Sequence, residues 1–161
     1  PFAAHASKQY PIELTEQVIK KLTSEHNVQI LLFGGGKQEN KALESLATKF
    51  ENCKNVAGKF SFTEELQLIS NLDIMLSMDS GNGHLAAMFG VEVITIWGAT
   101  HPYAGFAPFG QTEEMQLLPD LEKYPLLPTS IYGNKQVNGY KKVMHDITPE
   151  EVFKKVKFCL N

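Results

Sequence analysis

The sequence has 161 residues, a formal net charge of -3, and 43% hydrophobic against 20% charged residues. That size and balance suit one domain with a sizeable core, which excludes intrinsic disorder, and the acidic balance argues against nucleic acid as principal partner. Cys53 and Cys159 lie too far apart for a disulfide framework or metal-ligand spacing. No apolar run reaches transmembrane length and no signal-peptide pattern opens the chain, so a reducing cytoplasm is the expected setting. The chain opens on Pro1-Phe2 rather than Met, as a piece of something longer would.

Residues 1–10 have little helical character. Pro11 suits a first helical turn, and Leu14, Val18, Ile19 and Leu22 follow at helical spacing. The apolar run 28–33 reads as a buried strand that Gly34-Gly35-Gly36 ends. A helix from about Gln38 then buries Leu43, Leu46, Ala47 and Phe50. This glycine turn has no G-x-G-x-x-G spacing and no Lys-Ser/Thr after it, so a nicotinamide dinucleotide or P-loop site is disfavoured. Residues 55–58 read as a short strand. Ser61-Phe62-Thr63-Glu64 has the capping-box pattern of a helix start.

The most informative stretch is 74–102, I-M-L-S-M-D-S-G-N-G-H-L-A-A-M-F-G-V-E-V-I-T-I-W-G-A-T-H-P. Two short apolar runs, 74–78 and 93–97, read as buried strands flanking a helix that begins near Gly83 or His84. In open α/β sheets ligands bind at such strand-to-helix turns. Gly81 and Gly83 permit positive φ and close backbone approach, Ser80 and Asn82 add short donors, and the helix start favours an anion. A phosphate fits this set. The alternative is a tight turn that Asp79 or Ser80 merely caps.

Beyond Trp97 the chain is loop-rich, and Tyr103, Phe106 and Phe109 either line a sugar site or pack the loop. Residues 115–118 read as an edge strand. Residues 119–143 form a long loop with Pro125, Pro128, Gly133 and Gly139, the kind that is functional or mobile. Thr148-Pro149-Glu150-Glu151 starts the last helix. Lys141, Lys142, Lys154, Lys155 and Lys157 read as a solvated face, with contact to an anionic membrane surface as the minority alternative.

Asp79, Ser80, Gly81, His84, Leu85, Ala86, Ala87, Gly98, Thr100 and Pro102 together resemble the signature of the heptosyltransferase family, GT-B glycosyltransferases that build lipopolysaccharide core from ADP-heptose. The resemblance extends from Lys8 to the last helix. It implies an α/β fold: a Rossmann-like parallel sheet of five or six strands with helices on both faces, the C-terminal, nucleotide-sugar-binding half of a GT-B enzyme. A strand ahead of residue 1 belongs to that expectation. The resemblance places Lys8 on the donor phosphates, Glu39 on the ribose hydroxyls and Phe60 beside the adenine. His84 faces the diphosphate and, with Lys8, stabilises the departing nucleotide, while Ser80, Gly81, Asn82, Gly83 and Thr100 line the same site. Asp79 is expected to hold the loop through backbone N–H groups rather than act as a base.

The family resemblance further implies a metal-independent reaction with a nucleotide-sugar donor and a lipid A-core acceptor. It places the acceptor site and base in an N-terminal domain absent from 1–161. The fragment is therefore expected to be inactive alone, in the cytoplasm and in peripheral contact with the inner membrane. Rival readings are a stand-alone nucleotide-binding or regulatory module and a GT-B-like nucleotide-sugar epimerase.

Overall fold

A computed structural model describes residues 2–25 and 27–160. Pro1, in the opening segment of the expected donor half, lies outside the described residues. The chain alternates helices and strands: α1 (Ile12–Glu25), β1 (Ile30–Leu32), α2 (Gly36–Lys49), β2 (Cys53–Asn55), α3 (Phe62–Ile69), β3 (Ile74–Met78), α4 (Gly81–Met88), β4 (Glu92–Ile96), β5 (Gln116–Leu117) and α5 (Pro149–Leu160). Each strand pair is parallel. The α/β expectation with five strands holds, with one departure: the strands form two ladders, β1-β2 and β3-β4-β5. Among the described residues no ladder joins β1 to β3.

Helices cover both faces. Val93 packs with Ile69, Ala86 and Ala87 of α3 and α4, whereas Ile94 and Ile96 pack with Val18, Val152 and Phe153 of α1 and α5. Alternation along β4 thus sends successive side chains to opposite layers. A continuous apolar run is what a parallel strand covered on both faces requires. A third cluster sets Leu43 and Leu46 of α2 and Ile19 of α1 against Leu32 and Cys53.

The helix starts follow local chemistry. Ser61 Oγ accepts the Glu64 N–H, and Glu64 returns a carboxylate oxygen to the Ser61 N–H at 2.8 Å. Thr148 and Glu151 repeat the reciprocal pair on α5. Ser61→Ala is therefore expected to cost about 1 kcal/mol in urea unfolding, with α3 fraying first by hydrogen exchange.

Candidate functional site

Parallel strands put the turns after β1, β3 and β4 on one edge of the sheet. The turn after β3 is held from inside: Ser77 Oγ donates to the Met78 carbonyl at 2.7 Å and lies 3.0 Å from Ser80 Oγ. Ser80 is the N-cap of α4, yet its side chain makes no capping bond. The helix thus begins at Gly81, earlier than its composition suggests, without a side chain closing its first N–H groups. Such an end attracts anions.

The two glycines of this turn do different things, neither through positive φ. Gly83 is a packing position, since a Cβ there would sit 3.0 Å from Ser77 Oγ. Around Gly81 nothing lies within 4 Å of such a Cβ, so its backbone is open to an approaching ligand.

Across from it, Gly36 takes φ 76°, a left-handed conformation that suits glycine, and starts α2. Glu39 Oε2 accepts the Gly35 N–H at 2.8 Å. Ser80, Gly81 and Asn82 share one cavity with Gly34, Gly35 and Glu39. Beside it, a cavity of about 570 Å3 runs between the Gly34–Gly36 turn and the loop after β2 at Ala57 and Gly58. That loop is fixed by buried Asn55, whose Nδ2 donates to Asn40 Oδ1 and Glu44 Oε2 while its Oδ1 accepts the Ala57 N–H. The Asn55 bond is also the first reason that the Glu44 carboxyl titrates below its usual range.

Lys8 and Asp79 form a buried pair. The Lys8 ammonium lies 2.7 Å from Asp79 Oδ2, and the residues are 8% and 9% exposed. Fully buried Thr100 donates its hydroxyl to the same oxygen at 2.8 Å, and the Phe106 ring lies 5.9 Å from the ammonium. Lys8 is thus held by a carboxylate rather than presented as an open cation. Among the described residues Asp79 is bonded by these two side chains, where backbone N–H groups were expected of it.

Three positions that residue types did not mark hold this cluster. The Ala99 N–H donates to the Ser7 carbonyl at 3.1 Å, Gly98 lets that carbonyl approach, and the Ser7 hydroxyl donates to the Gly133 carbonyl. Gly133, at φ 67°, brings the long loop over Lys8 and Thr100. The chain-order signal available for them was only that Gly98 falls inside the signature stretch.

Two expected site residues stand apart from these groups. Phe60 is 43% exposed, and His84 is half-buried in the first turn of α4; neither lines either cavity. His101, next to Thr100, accepts the Tyr103 N–H on Nδ1 at 3.2 Å, and burial lowers its pKa. A histidine held neutral on folding stabilises above its unfolded pKa of about 6.5, and that contribution is lost as pH falls through the lower folded value. Thermal unfolding between pH 7.5 and 5 should therefore show a steeper acid loss for the native chain than for His101→Gln.

Residues 1–130 match glycosyltransferase family 9 (heptosyltransferase). The chain is 29% identical over 144 residues to lipooligosaccharide heptosyltransferase 2 of Haemophilus influenzae, covering 81% of this chain and 37% of that protein. It is 25% identical over 160 residues to lipopolysaccharide heptosyltransferase 2 of Escherichia coli K12, covering 96% and 43%. The chain thus spans less than half the length of these relatives. Escherichia coli heptosyltransferase WaaC with ADP superposes with a TM-score of 0.71 at 20% identity, over 98% of this chain and 42% of that one. With ADP-2-deoxy-2-fluoro heptose the TM-score is 0.72, over 41% of that chain.

Proposed function

Because the chain belongs to glycosyltransferase family 9, the heptosyltransferases, we propose that it is the nucleotide-sugar-binding part of a lipopolysaccharide-core glycosyltransferase. One observation carries the reading: the uncapped start of α4, with open Gly81, shares a cavity with Gly34, Gly35 and Glu39. A nucleoside diphosphate sugar matches that polarity. Its phosphates meet the α4 N–H groups, Ser80 and Asn82. Glu39, with Oε2 on Gly35, accepts a ribose hydroxyl through its second oxygen. Gly83 keeps the helix on the strand.

The donor in this reading is ADP-heptose or a related sugar, and the acceptor is a lipid A-core saccharide. Transfer forms a bond between the acceptor oxygen and the sugar's C1 as the bond from C1 to the β-phosphate oxygen breaks. The electron pair leaves with ADP, and the acceptor proton goes to a base elsewhere in the full-length protein. The chain's own part is to bind the donor and to meet charge growing on the diphosphate by the N–H groups at the start of α4 rather than by a metal. Residues 1–161 act as one domain, inactive without an acceptor-binding domain. The same reading places the work in the cytoplasm, with peripheral contact at the inner membrane.

Gly81→Ala tests the carrying observation. The methyl meets empty space and glycine is a poor helix former, so melting should stay within about 2 °C of the native chain or rise. ADP affinity, read by amide shifts at residues 80–84, should fall at least about tenfold, on the order of 1.4 kcal/mol. Unchanged ADP affinity in this variant would remove the phosphate from α4.

A further inference from the structure

One buried hydroxyl is left over beneath α4. Thr95, in β4, is 1% exposed, and its Oγ1 has no hydrogen-bond partner. Among the described residues it is the one buried side-chain polar atom in that state. The buried hydroxyls of Ser77 and Thr100 are both engaged, on the Met78 carbonyl and on Asp79. A buried hydroxyl without a partner forfeits its hydration and gains nothing in exchange, so folded chains rarely keep one.

Its place in the sheet decides which groups it can reach. Thr95 is two residues from Val93, so both side chains leave β4 on the same face. Val93 packs there on Ala86 and Ala87 of α4. In the parallel ladder Thr95 is paired with Ser77, as Val93 is with Met75. Paired residues of adjacent strands share a face at the usual spacing of about 4.8 Å, so Ser77 is the hydroxyl beside Thr95. The first turn of α4 closes over them: a Cβ on Gly83 would sit 3.0 Å from Ser77 Oγ and 3.4 Å from a Val93 methyl.

Counting protons fixes the direction of the bonds around Ser77. A serine hydroxyl carries one proton, and that of Ser77 goes to the Met78 carbonyl at 2.7 Å. The 3.0 Å contact between Ser77 Oγ and Ser80 Oγ is therefore a bond that Ser80 donates. The Ser80 proton thus points into the fold, leaving only lone pairs for the cavity that Ser80 lines with Gly81 and Asn82. An anion at the start of α4 is repelled by those lone pairs and needs that proton turned outward.

We infer that Thr95 is the positioning residue that releases Ser80 to the anion, a role that rests on reading the α4 start as the phosphate site. When Ser80 turns its proton to a phosphate oxygen, Ser77 Oγ loses its donor. Thr95 then donates to the vacated lone pair, while Ser77 keeps its own proton on Met78. Each hydroxyl gives one proton in the occupied site: Thr95 to Ser77, Ser77 to Met78 and Ser80 to the phosphate. The unmet hydroxyl of the resting chain is satisfied on binding, which adds to affinity without Thr95 touching the ligand.

Thr95→Val and Thr95→Ser separate this role from a structural one. Valine keeps the shape and deletes the idle hydroxyl, so Tm should rise by about 2 °C or more. ADP binding of the same variant, read by calorimetry, should weaken about fivefold. Serine keeps the hydroxyl and loses a methyl, so Tm should fall while ADP affinity stays within about twofold of native. Stability and affinity then move in opposite directions, which a packing defect does not produce. A Tm at or below the native value for Thr95→Val would show that the hydroxyl already has a partner in the resting chain, and would overturn the inference. So would an ADP affinity within about twofold of native in that variant. The titrations are repeated with inorganic pyrophosphate. If the native chain binds pyrophosphate and not ADP, the nucleotide reading falls and Thr95 is judged on pyrophosphate by the same criteria. A native chain that binds neither anion overturns both.

Discussion

Asp79→Ala is expected to destabilise the chain by about 3–5 kcal/mol, the loss seen when one partner of a buried ion pair is removed. At this size that is a fall in Tm of roughly 10 °C or more. The cause is what Asp79 leaves behind: a buried Lys8, its side chain 10% exposed, and a fully buried Thr100, both aimed at the missing oxygen. Asp79→Asn keeps an acceptor for Thr100 and loses the charge, so it should fall between native and Ala. The double variant Lys8→Met with Asp79→Leu removes both charges and should recover much of the loss, because apolar replacements of buried pairs are often tolerated. Urea unfolding of the native chain, Lys8→Met, Asp79→Leu and the double variant gives the coupling directly. A loss below about 0.5 kcal/mol for Asp79→Ala, the range of ordinary surface changes, would mean the pair opens to water in solution.

Gly98→Ala should act through geometry alone. A methyl there would lie 2.3 Å from the Ser7 carbonyl oxygen and 2.7 Å from Met144 Sδ. The sulfur can turn aside, but the carbonyl is backbone and already accepts the Ala99 N–H. The turn carrying Lys8 must move, so the cost should sit at or above the upper end of overpacking penalties, about 3 kcal/mol. Exchange of the Ala99 amide should quicken more than exchange in α2, whose packing does not involve that turn. Equal quickening everywhere would point to loss of global stability without a displaced Lys8 turn.

The central unit was legible because its signals are local. Apolar runs at 74–78 and 93–97 gave β3 exactly in place and β4 within one residue, and Ser61 and Thr148 announced their helices. The start of α4 was placed late because glycine discourages helix, whereas packing of Gly83 on Ser77 carries the helix back to Gly81. The Lys8–Asp79 pair could not be read, since it joins residues far apart in sequence and neither is unusual alone. The split between β1 and β3 was equally hidden: hydrophobic pattern reports that a strand is buried, not which strand lies beside it. The stretch 119–143 offered no period, yet Thr129 and Gly133 tie it to Ala99 and Ser7 beside the site.

The most direct measurement is thermal unfolding of the chain with ADP, UDP, GDP and NAD added one at a time. A nucleotide at a hundred times its dissociation constant adds about 2.7 kcal/mol, roughly 5–10 °C for a domain of this size. The account predicts that ADP gives the largest shift and that Gly81→Ala removes most of it. A shift led by UDP or GDP would contradict the ADP-sugar donor, and saturating ADP with no shift would contradict a nucleotide site on this chain.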